Sequence, residues 1–197
     1  MGQFDVLDKL VADGNGYLIT SQVLNNGISK PTLAKYISKR KMERVAHGIY
    51  LSDDSWPDEL YQLHLSCQRI VFSHETALML HGLMEREPRL TSVTVKVGYN
   101  ATHLRKKGIR VYQVKASIAE LGVTNAVTAF GNTVRVYDME RTICDIIQRK
   151  EYMDIQVFQY ALKEYMASRR KNLPNLMEYA KVLQIEDKVR TYTEVML

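Results

Sequence analysis

Cysteine is almost absent from this chain: only Cys67 and Cys144 occur in 197 residues, each inside an apolar helical pattern. A disulfide-stapled secreted scaffold is excluded by that count, and two buried thiols in a reducing cytoplasm are expected. Long apolar runs are missing too, since none approaches the ~20 residues that cross a bilayer. Asp5, Asp8 and Lys9 interrupt the first eleven residues, so no signal-peptide core is present there. Proline is scarce, at four residues, and no repeat or low-complexity tract is visible. What remains is the composition of a globular cytoplasmic chain: 46% hydrophobic, 25% charged.

Catalytic and metal patterns are lacking as well. There is no Gly-rich phosphate loop, and no Gly-Ser loop followed by an Asp pair. Val93-Thr94-Val95-Lys96 resembles the acid-x-lysine strand of restriction-type nucleases, but Thr94 stands where the Mg²⁺-binding carboxylate belongs. His64, His74 and His81 have no cysteine or carboxylate that completes a metal shell. Arg141 and Asp145, four residues apart, read as a helix-surface pair. No catalytic residue, metal or cofactor is expected.

The formal net charge of +5 is unevenly spread. Residues 1–52 carry seven Lys/Arg against four Asp/Glu, and residues 85–115 carry eight against two. Basicity gathered in two blocks is compatible with a nucleic-acid partner.

The first block has the stronger pattern. Phe4, Leu7, Leu10 and Val11 mark a helix over 4–13, and Thr20 is expected to cap a second one closed by Asn25-Asn26-Gly27. Ser29 caps a third, in which Pro31 is tolerated in the first turn. On that helix Leu33 and Ile37 share one face, while Thr32, Lys35, Ser38 and Lys39 fall opposite. His47-Gly48 then makes a hairpin turn between 42–46 and 49–52. Helix, helix, helix and wing predict a winged helix-turn-helix, with Lys30, Thr32, Lys35, Tyr36 and Lys39 facing a major groove. Arg44 and His47 on the wing are candidates for the minor groove or for phosphates.

The polar, Pro-marked stretch 53–57 is the expected boundary between a DNA-binding domain over 1–54 and a second domain over 58–197. In the second, helices are predicted over 58–70 and 74–81, and strands over 91–97, 109–115, 123–129 and 133–137. Further helices are predicted over 139–149, 154–168, 174–183 and 186–195. The fold class is therefore α+β: a winged helix-turn-helix plus a domain with a small, mainly antiparallel sheet packed by helices. Lys96, Arg105, Lys106, Lys107 and Arg110 are candidates for additional DNA or partner contacts, with Arg105 to Gly108 read as an exposed loop.

Three stretches taken together resemble the AbiEi antitoxins of abortive-infection toxin–antitoxin systems. They are Glu43-Arg44-Val45-Ala46-His47-Gly48-Ile49-Tyr50, the segment from Ser73 to Leu83 (SHETALMLHGL), and Glu140-Arg141-Thr142-Ile143-Cys144-Asp145-Ile146-Ile147. The resemblance implies a repressor that binds inverted repeats in double-stranded DNA at its own promoter; such repeats need two copies, and with no strong dimer helix in the sequence, cooperative monomers and a weak dimer are both open. It also implies that the second domain neutralises an AbiEii-type nucleotidyltransferase toxin without a stable complex. Alone, the residues leave other classes open: a ligand-responsive winged-helix transcription factor, a degenerate nuclease retaining Lys96, and an RNA-binding role, because basic loops do not distinguish the two polymers.

Overall fold

The computed structural model describes residues 2–194. The protein is α+β, with two small sheets, one of them antiparallel. Its chain separates into two compact units, Met1–Gln68 with Val127–Thr133, and Arg69–Ala126 with Val134–Leu197.

The first unit begins with α1 (Gln3–Asp13), β1 (Tyr17–Ile19), α2 (Thr20–Asn25) and α3 (Lys30–Arg40), followed by β2 (Glu43–Ala46) and β3 (Ile49–Leu51). Leu7, Leu18, Val23, Ile28, Leu33, Tyr36 and Met42 close its core, the hydrophobic burial that holds three short helices together. The sheet has the order β1-β3-β2, antiparallel throughout. Strand β1 is too short for its alternation to register in the sequence, and it was not expected. Thr20 does not cap α2: the cap position is Ile19, with no side-chain bond, and Thr20 is the first helical residue.

Helix α4 (Glu59–Ser66) completes this unit. Asp58 caps it by accepting from the Tyr61 amide at 3.0 Å. The other oxygen of the same buried carboxylate accepts from Thr128 Oγ1 at 2.5 Å and from Asn132 Nδ2 at 2.8 Å. One acid thus satisfies its lone pairs inside the unit and secures the segment 127–133 that returns to it.

The second unit contains β4 (Val71–Phe72), α5 (His74–Leu80), β5 (Ser92–Lys96), α6 (Thr102–Lys106) and β6 (Arg110–Val114). Then come β7 (Val123–Val127), β8 (Thr133–Tyr137), α7 (Met139–Gln148), α8 (Ile155–Ala167), α9 (Leu173–Val182) and α10 (Glu186–Glu194). Its sheet order is β6-β5-β4-β8-β7. The expectation of a mainly antiparallel sheet is corrected: β4 runs antiparallel to β5, but β5–β6 and β4–β8 are parallel. Helix α6 lies in the connection between the parallel strands β5 and β6, the kind of crossover such pairs require.

Helix α7 is the centre of the core, with every residue from Met139 to Ile147 buried. It packs in one cluster with Leu78, Leu83, Phe158, Leu162, Tyr165, Leu176 and Val189. Arg141 and Asp145 therefore do not form the expected surface pair. They make a buried ion pair, with Nε donating to Oδ1 at 2.9 Å. Cys67 and Cys144 are both buried thiols.

Candidate nucleic-acid interface

Helix α3 is set up by its ends. Ser29 Oγ accepts from the Thr32 amide at 3.3 Å, and Pro31 occupies the first turn, where a missing amide hydrogen costs nothing. Lys41, at φ 51°, ends the helix in the left-handed region and Met42 is buried immediately after it. The chain is thereby turned into β2 within two residues, so α3 and the hairpin are adjoining parts of one piece.

Leu33 and Tyr36 bury one side of α3, with Ile37 half-buried beside them. Lys30, Lys35 and Lys39 are exposed, as are Ala34 and Ser38. At about 100° per residue, Pro31, Ala34, Lys35 and Ser38 lie farthest from the core, with Lys30 and Lys39 at the two margins. Ala34 shares this outward face, and a search for charged and aromatic side chains passes over it. Lys39 Nζ also rests 5.4 Å from the Phe4 ring centroid.

Tyr36 is a correction. Expected on the outward face, it is 2% exposed and donates its hydroxyl to Asp8 Oδ1 at 2.6 Å. Burial, and then the Asp8 hydrogen bond, pushes its pKa up to about 12. The bond also holds Asp8 below its usual range, with Arg40 Nη2 on the other oxygen at 2.7 Å. Thr32 is half-buried and committed locally: its hydroxyl lies 3.0 Å from Ser29 Oγ and donates to Gln3 Oε1 at 3.3 Å.

The β2–β3 hairpin turns at His47-Gly48, with Gly48 at φ 70°. Gly48 O accepts from the Thr20 amide at 2.8 Å, tying the tip to α2. A bulge between Arg44 and Ala46 shifts the register. Arg44 runs toward the tip, where Nη2 lies 3.1 Å from His47 Nδ1 and Nε donates to Ala46 O at 3.4 Å. Both side chains are exposed, so the hairpin presents a guanidinium and an imidazole together.

The second basic block divides. Lys96 Nζ pairs with Glu120 Oε1 at 2.9 Å, and Arg135 takes the other Glu120 oxygen at 2.9 Å. Arg110 Nη1 pairs with Glu75 Oε1 at 2.6 Å. Arg105 and Lys106 lie in the last turn of α6 and Lys107 caps it, so the expected loop is largely helix. Those three make no ion pair among the described residues.

The two other motif stretches are packed inside the second unit. His74 is buried at φ 50°, stacked on Tyr112 with ring centroids 3.5 Å apart, and its Nδ1 is 3.1 Å from Ser73 Oγ. Burial, then the nearby Arg149, Arg141 and Arg110, holds its pKa down to about 3, so the ring is neutral. His81 ends α5 and contacts Tyr137 O through Nε2 at 2.7 Å. Among the described residues no group of three His, Cys, Asp or Glu could hold a metal ion. No helix among them is long and apolar enough to cross a membrane.

No family model matches the sequence, and no curated protein matches it either. The fold is similar to the crystal structure of the RV2827C protein from Mycobacterium tuberculosis, with a TM-score of 0.58 at 12% sequence identity. The match covers 92% of this chain and 72% of that one. At that identity the likeness is one of fold alone.

Proposed function

We propose that the first unit is a winged helix-turn-helix and that the protein is an antitoxin and autorepressor. One observation carries the DNA half: Lys30, Lys35 and Lys39 are exposed on α3, and the next element is a hairpin exposing Arg44 and His47. Helix α3 reads the major groove through Lys35, Ala34 and Ser38, the lysines at its margins hold phosphates, and the wing supplies Arg44 and His47 to the adjoining backbone. The target is double-stranded promoter DNA with inverted repeats, bound by cooperative monomers or a weak dimer.

The antitoxin half rests on the resemblance of the three stretches to the AbiEi proteins. In that reading the second unit neutralises a nucleotidyltransferase toxin of the AbiEii type without a lasting complex, and the chain itself is not an enzyme. It is a cytoplasmic role, in abortive infection and phage defence. The buried, core-forming character of α5 and α7 assigns their motif residues to holding that unit's shape.

The test separates the halves. Lys35→Ala with Lys39→Ala is expected to release a promoter reporter from repression while still rescuing growth of cells expressing the neighbouring toxin gene. Loss of both activities in a variant that remains folded would refute the division of labour.

A second reading, a ligand-responsive transcription factor, is favoured by one feature. The second unit has an open cleft of about 250 Å³ lined by Leu90, Tyr152, Met153 and Val157 with Arg89, Glu87 and the ion pair of Arg86 with Asp154 at 3.0 Å. A thermal shift with a small metabolite, lost on Arg89→Ala, would support that reading.

A further inference from the structure

From Pro88 to Ala119 the chain contains no acidic residue, and most of its basic side chains there are not neutralised in place. With Lys96 and Arg110 taken by Glu120 and Glu75, Arg105, Lys106 and Lys107 remain exposed and consecutive at the end of α6. Leu104 and Ala101 are buried beneath them, so the helix is anchored and its cations are held outward.

Aromatic groups stand beside this charge. Tyr99, half-buried, and the exposed His103 meet edge to face with centroids 5.9 Å apart, and the Tyr99 hydroxyl lies 3.4 Å from His103 Nε2. The Arg69 guanidinium lies 5.8 Å from the Tyr99 ring centroid. A tight turn at Gly98, φ 89°, brings Tyr99 N to Lys96 O at 3.1 Å, and Gln113 Nε2 holds Tyr99 O at 3.1 Å. Asn100 Oδ1 accepts from the Thr102 amide at 3.1 Å, which leaves its amide hydrogens as donors.

We propose that Arg69, Tyr99, Asn100, His103 and Arg105 to Lys107 form a binding surface for single-stranded RNA, separate from the duplex-reading helix α3. Cations along a strip engage the phosphates, and the Tyr99–His103 pair offers rings on which an unstacked base can lie. At five residues α6 extends only about 7.5 Å, too short to read base edges along a groove, so its cations serve phosphates. Preference for a single strand rests on the Tyr99 and His103 rings, which take only unstacked bases. RNA is favoured over single-stranded DNA because the Asn100 amide and His103 imidazole can pair with a 2′-hydroxyl beside the stacked base.

The experiment is fluorescence anisotropy of the full chain on a labelled twelve-nucleotide single-stranded RNA, the same sequence as single-stranded DNA, and a duplex of unrelated sequence, over a salt series. The RNA is expected to bind tightest. Arg105→Ala with Lys106→Ala and Lys107→Ala is expected to weaken it at least tenfold and to reduce the salt slope by about two. Tyr99→Leu is expected to weaken it roughly tenfold with the slope unchanged. Lys106→Glu with Lys107→Glu, checked for an unaltered melting temperature, must reproduce the loss. Lys35→Ala with Lys39→Ala must leave RNA binding intact, so this surface stands or falls apart from the operator reading. Undetectable RNA binding, binding untouched by the α6 variants, or equal binding to either DNA would overturn the proposal.

Discussion

Tyr36 and Asp8 share a 2.6 Å hydrogen bond on the core side of α3, whereas the sequence reading places Tyr36 on the face toward DNA. The residue sits near the edge of the apolar arc set by Leu33 and Ile37, so periodicity alone assigns it to either side. Burial and Asp8 raise its pKa to about 12 from the ordinary 10. The folded protein therefore keeps a proton that the unfolded chain loses, and this contribution, complete below pH 10, drains away as pH rises to about 12. Tyr36→Phe is expected to cost about 1 kcal/mol at neutral pH in urea melts and to spare operator binding. Its deficit against the parent should shrink from pH 10 to 12. Arg141 poses the same question of sidedness. An i, i+4 pair of opposite charges looks alike in sequence whether it faces solvent or core. Here Nη1 also donates to Ile118 O at 2.8 Å and Leu121 O at 3.0 Å, and the guanidinium carbon lies 4.3 Å from the Tyr137 ring centroid. Burial pushes the Asp145 carboxyl up, against the pull of Arg141. Arg141→Met should cost about 3–5 kcal/mol by stranding that acid, and adding Asp145→Leu should recover part of it. An equal loss in the double variant would show that packing, not charge, sets the cost.

The helices were legible because each carries its own repeat. Helices α1, α3, α7, α8, α9 and α10 follow from apolar spacing, and α3 also from its Ser29 cap, whereas the Asp138 and Asp154 caps of α7 and α8 emerge only in the structure. The hairpin at His47-Gly48 was legible because a turn needing positive φ calls for glycine. Strands β1 and β4, of three and two residues, are too short to show alternation. Parallel pairing of β5 with β6 and β4 with β8 is a non-local choice that no local signal encodes. Helix α6 was hidden between Asn100 and Gly108, whose turn chemistry dominates so short a segment. Gly48 tests the β2–β3 hairpin at this scale. An added Cβ there would stand 3.2 Å from Thr20 Oγ1, on a backbone at φ 70°. Gly48→Ala is expected to cost about 1–2 kcal/mol in urea melts. An unchanged stability would mean that the tip relaxes into a conformation alanine accepts.

For the molecule as a whole, the likeness at 12% identity says that this arrangement of elements tolerates nearly complete replacement of its side chains. Function must then be argued from particular groups. The exposed lysines of α3 were readable from the chain because a capped amphipathic helix fixes its outward face. The neutralisation of Lys96 by Glu120 and of Arg110 by Glu75 was not, since the partners are 24 and 35 residues away. The central claim is sequence-specific duplex binding through α3. Its most direct test is fluorescence anisotropy of the full chain on DNA from immediately upstream of its own gene, against shuffled DNA, over a salt series. Tighter binding to the native sequence, falling steeply with salt and lost with Lys35→Ala and Lys39→Ala, is the predicted result. Equal, weak binding to both DNAs would contradict it.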